Sequence, residues 1–208
     1  INCMNDIKCR KLSYKLSNLN NDSIININNE DLNSIKNSQL MNLLKGIINL
    51  NNLINNSYNE LVSSFDGTFS DQFLLFNQLI INFDITSSNE YTILINKYND
   101  IKQKIDTYKK ILLENDVKFY KYNMEIKMYN NKYNEIIVNN NRLNITDSEA
   151  NISKEVFNKC NNNLNVLMYY HTKLMKEFNN YDTELNNLKH ACWTCPMFDI
   201  CNGCKKTI

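Results

Sequence analysis

The residues best equipped for chemistry are the seven cysteines. Four stand close together in the tail, as Cys192-Trp193-Thr194-Cys195 followed by Cys201-Asn202-Gly203-Cys204. Cys3 and Cys9 open the chain, and Cys160 lies in between. Three chemistries use such a set. In an oxidising compartment the thiols would pair as disulfides, clasping the tail to the Cys3/Cys9 segment and to Cys160. The odd count then leaves one thiol free or one partner outside this stretch of chain. Four thiolates, Cys192, Cys195, Cys201 and Cys204, could alternatively hold zinc, although two such knuckles usually need a longer spacer to fold around one metal. Redox exchange is the third option. It calls for a Cys-x-x-Cys at a helix start in a βαβ setting, and no such setting is visible. The disulfide clasp fits best.

The other candidates are few. His171 falls on an apolar helical face and reads as a hydrogen-bonded core residue rather than a ligand. His190 precedes the cluster and would matter only with zinc. Trp193, the only tryptophan, either covers the disulfides or serves as an exposed binding anchor. Cys160 is equally at home as a small buried hydrophobe. No Ser/His/Asp arrangement, phosphate-cradling loop or metalloprotease helix is present. With 3 Gly and 1 Pro in 208 residues, there is little of the tight-loop backbone on which active sites are built. The expectation is a non-enzymatic chain without a cofactor.

The elements that position these residues read as helices. Leu94, Tyr98, Ile101, Ile105, Tyr108 and Leu112 step by four and three. After Asn115 the phase continues through Phe119, Tyr122, Ile126, Tyr129, Tyr133 and Ile136. Six heptads of this seam predict one helix about 65 Å long, packed against partner helices. Asn115 is either a register device or a local break. A second seam runs Phe157, Cys160, Leu164, Leu167, His171, Leu174, Phe178, Tyr181, Leu185 and Leu188, and its next position in phase is Cys192. A third segment, from about Glu30 to Phe65, puts Leu40, Leu43, Ile47, Leu50, Ile54 and Leu61 on one face, weakened slightly by Gly46. The short apolar stretch 73–81 predicts a buried helix plugging the bundle, with a strand over 79–85 as the alternative.

Loop signals separate these segments at Asp66-Gly67-Thr68, at Thr86-Ser87-Ser88-Asn89 and at 144–148. Ser87 with Glu90, and Thr146 with Glu149, have capping-box spacing. The expected fold is all-α: an elongated antiparallel bundle of three long helices and one or two short ones over 1–190. A disulfide-rich clasp over 191–208 packs on its end, making one structural unit.

Composition excludes several roles. Roughly one residue in five is Asn, while Gly, Ala and Pro are scarce, which departs strongly from average usage and fits an AT-rich coding bias. Many of these asparagines are expected on solvated helix faces. Asn forms helices poorly, so packing must hold the helices. Asn55, Asn144 and Asn151 begin glycosylation-acceptor triplets, which chance supplies in so Asn-rich a chain. The net charge of +1, with no basic block, argues against nucleic acid. No apolar run is long enough for a transmembrane span, and no signal peptide is present, so the chain reads as a mature ectodomain or an excised fragment.

The Asn/Lys/Ile/Tyr bias, runs such as Ile24-Ile25-Asn26-Ile27-Asn28-Asn29, and a helical body with terminal cysteines resemble secreted and surface antigens of malaria parasites (Plasmodium). Helical ectodomains of this kind occur among reticulocyte-binding-like proteins and the GPI-anchored micronemal antigen. The resemblance implies a parasite surface or a secretory organelle such as the micronemes or rhoptries. It also implies a protein partner, either a host-cell receptor or another parasite surface protein. It transfers no functional residue. The expected function is an extracellular adhesion or complex-forming module in attachment or invasion. The alternative is an intracellular coiled-coil scaffold with a zinc-binding tail. Membrane remodelling by 73–81 is a weaker third idea.

Overall fold

A computed structural model describes residues 24–65, 68–81, 88–140 and 145–189. Among them are four α-helices and no strand: α1 (Ser38–Ser64), α2 (Thr68–Ile81), α3 (Ser88–Asn140) and α4 (Asp147–Lys189), preceded by a 3-10 turn at Asn29–Leu32. The described part of the chain is all-α, with three long helices and one short one, as the seams require. The stretch 73–81 is helical to Ile81, so 79–81 are not strand, while 82–85 of the strand alternative lie outside the described residues. The cysteine tail lies outside the described residues.

The helix starts show why the chain enters and leaves helices where it does. The Thr146–Glu149 capping box forms: the Glu149 N–H donates to Thr146 Oγ1 at 3.2 Å, and the Thr146 N–H donates to Glu149 Oε2 at 3.1 Å. At the start of α1 the Leu40 N–H donates to the Asn37 side-chain oxygen at 3.0 Å, a second N-cap. Helix α3 begins at Ser88, where the Ser87/Glu90 pattern predicts it, although Ser87 itself lies outside the described residues.

The residues cluster into two compact units. The described parts of one are 24–64 and 113–172; those of the other are 65, 68–81, 88–112 and 173–189.

In the first unit α1 runs antiparallel to the second half of α3. Ser57 Oγ lies 2.8 Å from Tyr122 Oη, and Lys118 Nζ lies 3.3 Å from Glu60 Oε2. The first half of α4 returns antiparallel to α3, stacking Phe157 on Tyr133 and His171 on Phe119. The core consists of the expected α1 face with Leu44 and Ile48 added, together with Phe119, Cys160, Leu164 and Leu167. Each such fully buried Leu or Ile is worth roughly 1.5–3 kcal/mol, so burial can offset the poor helix propensity of the asparagines.

Not all asparagines face water. Asn51, Asn77 and Asn163 are buried, which departs from the solvated role expected of many asparagines, and Asn115 is buried on the seam where its spacing places it. Asn163 explains its own burial. Its Nδ2 donates to Asn51 Oδ1 at 2.8 Å and to the Ile25 carbonyl at 2.7 Å, while its Oδ1 accepts from the Ile25 N–H at 2.9 Å. The side chain thus satisfies the backbone of a segment, 24–28, that belongs to no helix. Asn115 does not break α3, which runs unbroken for 53 residues.

In the second unit, α2 runs antiparallel to the first half of α3 and parallel to the second half of α4. Phe69, Phe73, Phe76 and Ile80 recur at helical spacing and are all buried. Phe69 sits 4.9 Å from Tyr181, 5.3 Å from Phe178 and 5.8 Å from Tyr108, measured between ring centres, and Phe73 lies 5.0 Å from Tyr181. The tilted and edge-on geometries are those aromatic pairs prefer. Outside this cluster, Asp182 on α4 meets Lys102 Nζ at 3.0 Å and Lys109 Nζ at 3.2 Å, both from α3.

Candidate interaction surface

The aromatic cluster consumes one face of α2 and leaves the opposite face dressed with leucines. Leu74, Leu75 and Leu79 are exposed, Leu75 to 60%. Helix 73–81 is therefore not the wholly buried plug that its composition suggests. It has more apolar side chains than one face of a 14-residue helix can bury. Isolated exposed leucines are ordinary, but three within six residues of a short helix are not.

Between α2 and α3 of this unit runs an open groove of about 540 Å³. Leu75, Phe76, Leu79 and Ile101 supply its apolar lining, and Lys97, Asp100 and Lys104 stand along its α3 side. Ile93 on α3 is exposed as well. Apolar ground with charges of both signs beside it suits an amphipathic protein segment. It contains no nucleophile–base pair.

The residues singled out by the sequence are distributed otherwise. Cys3, Cys9, Cys192, Cys195, Cys201, Cys204, Trp193 and His190 lie outside the described residues. Cys160 is a free thiol in the first unit, 1% exposed, and burial pushes its pKa up to about 12. His171 is a core residue, stacked edge-on against Phe119 at 4.9 Å with Nδ1 3.5 Å from Asp116 Oδ1. Among the described residues no cluster of three or more His, Cys, Asp or Glu side chains could hold a metal ion. No described helix is long and apolar enough to cross a membrane.

Glu149 is a tightly held carboxylate. It is 3% exposed, and Oε1 accepts from the backbone N–H groups of Lys36 at 2.6 Å and Asn37 at 3.2 Å. The Lys36 N–H in the first place, then those of Thr146 and Asn37, hold its carboxyl below the usual range against the opposing effect of burial. At Asp182 partial burial works against the charge, but the ammonium groups of Lys102 and Lys109 outweigh it and keep the carboxyl low. Both sites are structural in geometry: Glu149 is held by backbone groups at two helix starts, and Asp182 by two lysines of α3.

The leucines of α2 were within reach of sequence reasoning. Seven apolar residues fall in 73–81, and a 3.6-residue period can hide only about half of such a run. No known protein family, curated protein or solved structure matches the chain.

Proposed function

We propose that this chain is a non-catalytic binding module of a secreted or cell-surface protein, and that it holds a protein partner in the groove between α2 and α3. The observation that carries this reading is the exposed leucine face of α2 beside an open, apolar groove. The extracellular setting is supported by the cysteine usage. With Cys160 a free thiol, six cysteines remain, an even number that can pair completely. In the setting that the composition resembles, the partner is a host-cell receptor or another parasite surface protein, and the task is attachment.

The test compares oxidised wild-type protein with a Leu75→Glu/Leu79→Glu variant for saturable binding to host cells and to parasite surface extracts. Both positions are exposed, so helix content by circular dichroism should be unchanged. The expected result is saturable binding by the wild type and at least a tenfold loss in the variant. Equal binding by the two would remove the groove as the contact. Several thiols released together with zinc on chelation would favour the scaffold with a Cys192/Cys195/Cys201/Cys204 metal site instead.

A further inference from the structure

A second apolar row lies on α3, within the first unit. Leu113, Val117, Tyr120, Met124 and Met128 follow one another at spacings of four, three, four and four. All are exposed, from 43% for Met128 to 73% for Val117. The inner seam of the same stretch is Leu112, Asn115, Phe119 and Tyr122, all buried, and Ile126, half-buried. At about 100° of turn per residue, the row points about 180° away from that seam. It thus faces solvent, while the inner seam meets α1 and α4. Coiled-coil spacing on the outside of a helix already packed on its inside calls for a second partner.

We propose that this row is a self-association surface, on which α3 pairs antiparallel with the same row of a second copy of this chain. The pattern is complementary to itself in that direction. With Leu113 facing Met124 of the second copy, and Val117 facing its Tyr120, four layers close, each large residue opposite a smaller or more flexible one. A parallel pairing would instead set Tyr120 on Tyr120 and Val117 on Val117. In the antiparallel register the flanking Glu114 faces Lys121 of the other copy, and Lys121 faces its Glu114, giving two symmetric ion pairs. A two-fold dimer requires this kind of isologous match. The four side chains per copy that pair in this register cover less than half of the ~800 Å² per partner of a standard interface, so the dimer should be weak, with a dissociation constant on the order of 10 μM.

Sedimentation equilibrium of the full chain at several concentrations tests this. The expected result is a concentration-dependent dimer, with Val117→Glu and Tyr120→Glu variants monomeric at unchanged helix content. Lys121→Glu should weaken association about tenfold, because it sets two acids opposite one another. The Glu114→Lys/Lys121→Glu swap should restore it to within about threefold, since each pair is re-formed with its signs exchanged. A parallel pairing would not be rescued. A wild type that stays monomeric, a Val117→Glu variant that still dimerises, or a swap that fails to recover would each overturn the proposal. These variants leave the α2 groove untouched, so loss of dimer and loss of partner binding are separate readouts.

Discussion

The ring of Tyr129 lies directly over Gly46: a Cβ placed on that glycine would stand 2.8 Å from both Cε1 and the hydroxyl oxygen of the tyrosine. The glycine that weakens α1 as a helix is the notch into which α3 sets an aromatic side chain. Its absent methyl group therefore has two opposed effects. Gly46→Ala should gain about 1 kcal/mol of helix propensity and lose about 2 kcal/mol through overpacking, a net loss near 1 kcal/mol. In a Tyr129→Ala background the same substitution should stabilise by about 1 kcal/mol. Urea denaturation of the four variants reads the change of sign, and an equal effect in both backgrounds would contradict the notch.

Glu149 links the starts of two helices, and its charge is part of that link. Its folded carboxyl is lower than its unfolded one, so it contributes stability above the ordinary carboxylate range. That stability is lost as pH falls through the folded value. Glu149→Gln should cost about 2 kcal/mol at neutral pH, by weakening charge-assisted bonds to backbone N–H groups. The cost should shrink as pH falls below the ordinary carboxylate range and through the lowered folded value, where the wild-type carboxyl protonates as well. Denaturant melts at neutral and acid pH check this; a pH-independent penalty would count against it.

Removing the Asn163 amide strands three groups at once: the Asn51 oxygen and both backbone groups of Ile25. Asn163→Ala should cost about 2–3 kcal/mol. The Ile25 amide should then exchange its hydrogen faster while amides in the middle of α1 stay protected. A loss spread evenly over the first unit would mean that the side chain acts by packing alone.

Cys160 should be inert in the folded protein. A thiol 1% exposed, with its pKa pushed up to about 12, presents almost no thiolate at pH 8. With the other six cysteines paired as proposed, no thiol should react with an aromatic disulfide reagent in native, unreduced protein, and one should react after unfolding in urea. A prompt native signal would show that the pairing is incomplete.

Much of the helical body could be read directly from spacing. Every seam position from Leu94 to Ile136 is buried or half-buried, and so is every one from Phe157 to Leu185. A regular period reports which side of a helix meets its neighbours, whatever those neighbours are. The Thr146–Glu149 cap was legible for the same reason, because both partners lie within one turn. The other half of Glu149's role was not. Its bonds to Lys36 and Asn37 cross more than a hundred residues, and no local pattern marks them. The interaction surface was half legible. The run 73–81 announced apolar surface, but seven apolar residues broken only by Asn77 and Gln78 carry no clear period to separate its buried side from its open one. The outer row of α3 was obscured by the stronger seam behind it. The buried asparagines escaped because composition describes the average asparagine, and Asn163 answers to the particular backbone beside it.

The double duty of Glu149 also sets an order on biosynthesis. The carboxylate that finishes the start of α1 is supplied from 113 residues further along the chain. When α1 leaves the ribosome it has the Asn37 cap but neither that acid nor the α3 and α4 surfaces against which its leucines lie. This helix must therefore wait, incompletely closed and apolar on one side, until the 113 residues from Lys36 to Glu149 have been made. During that interval a nascent chain has most need of a holding chaperone.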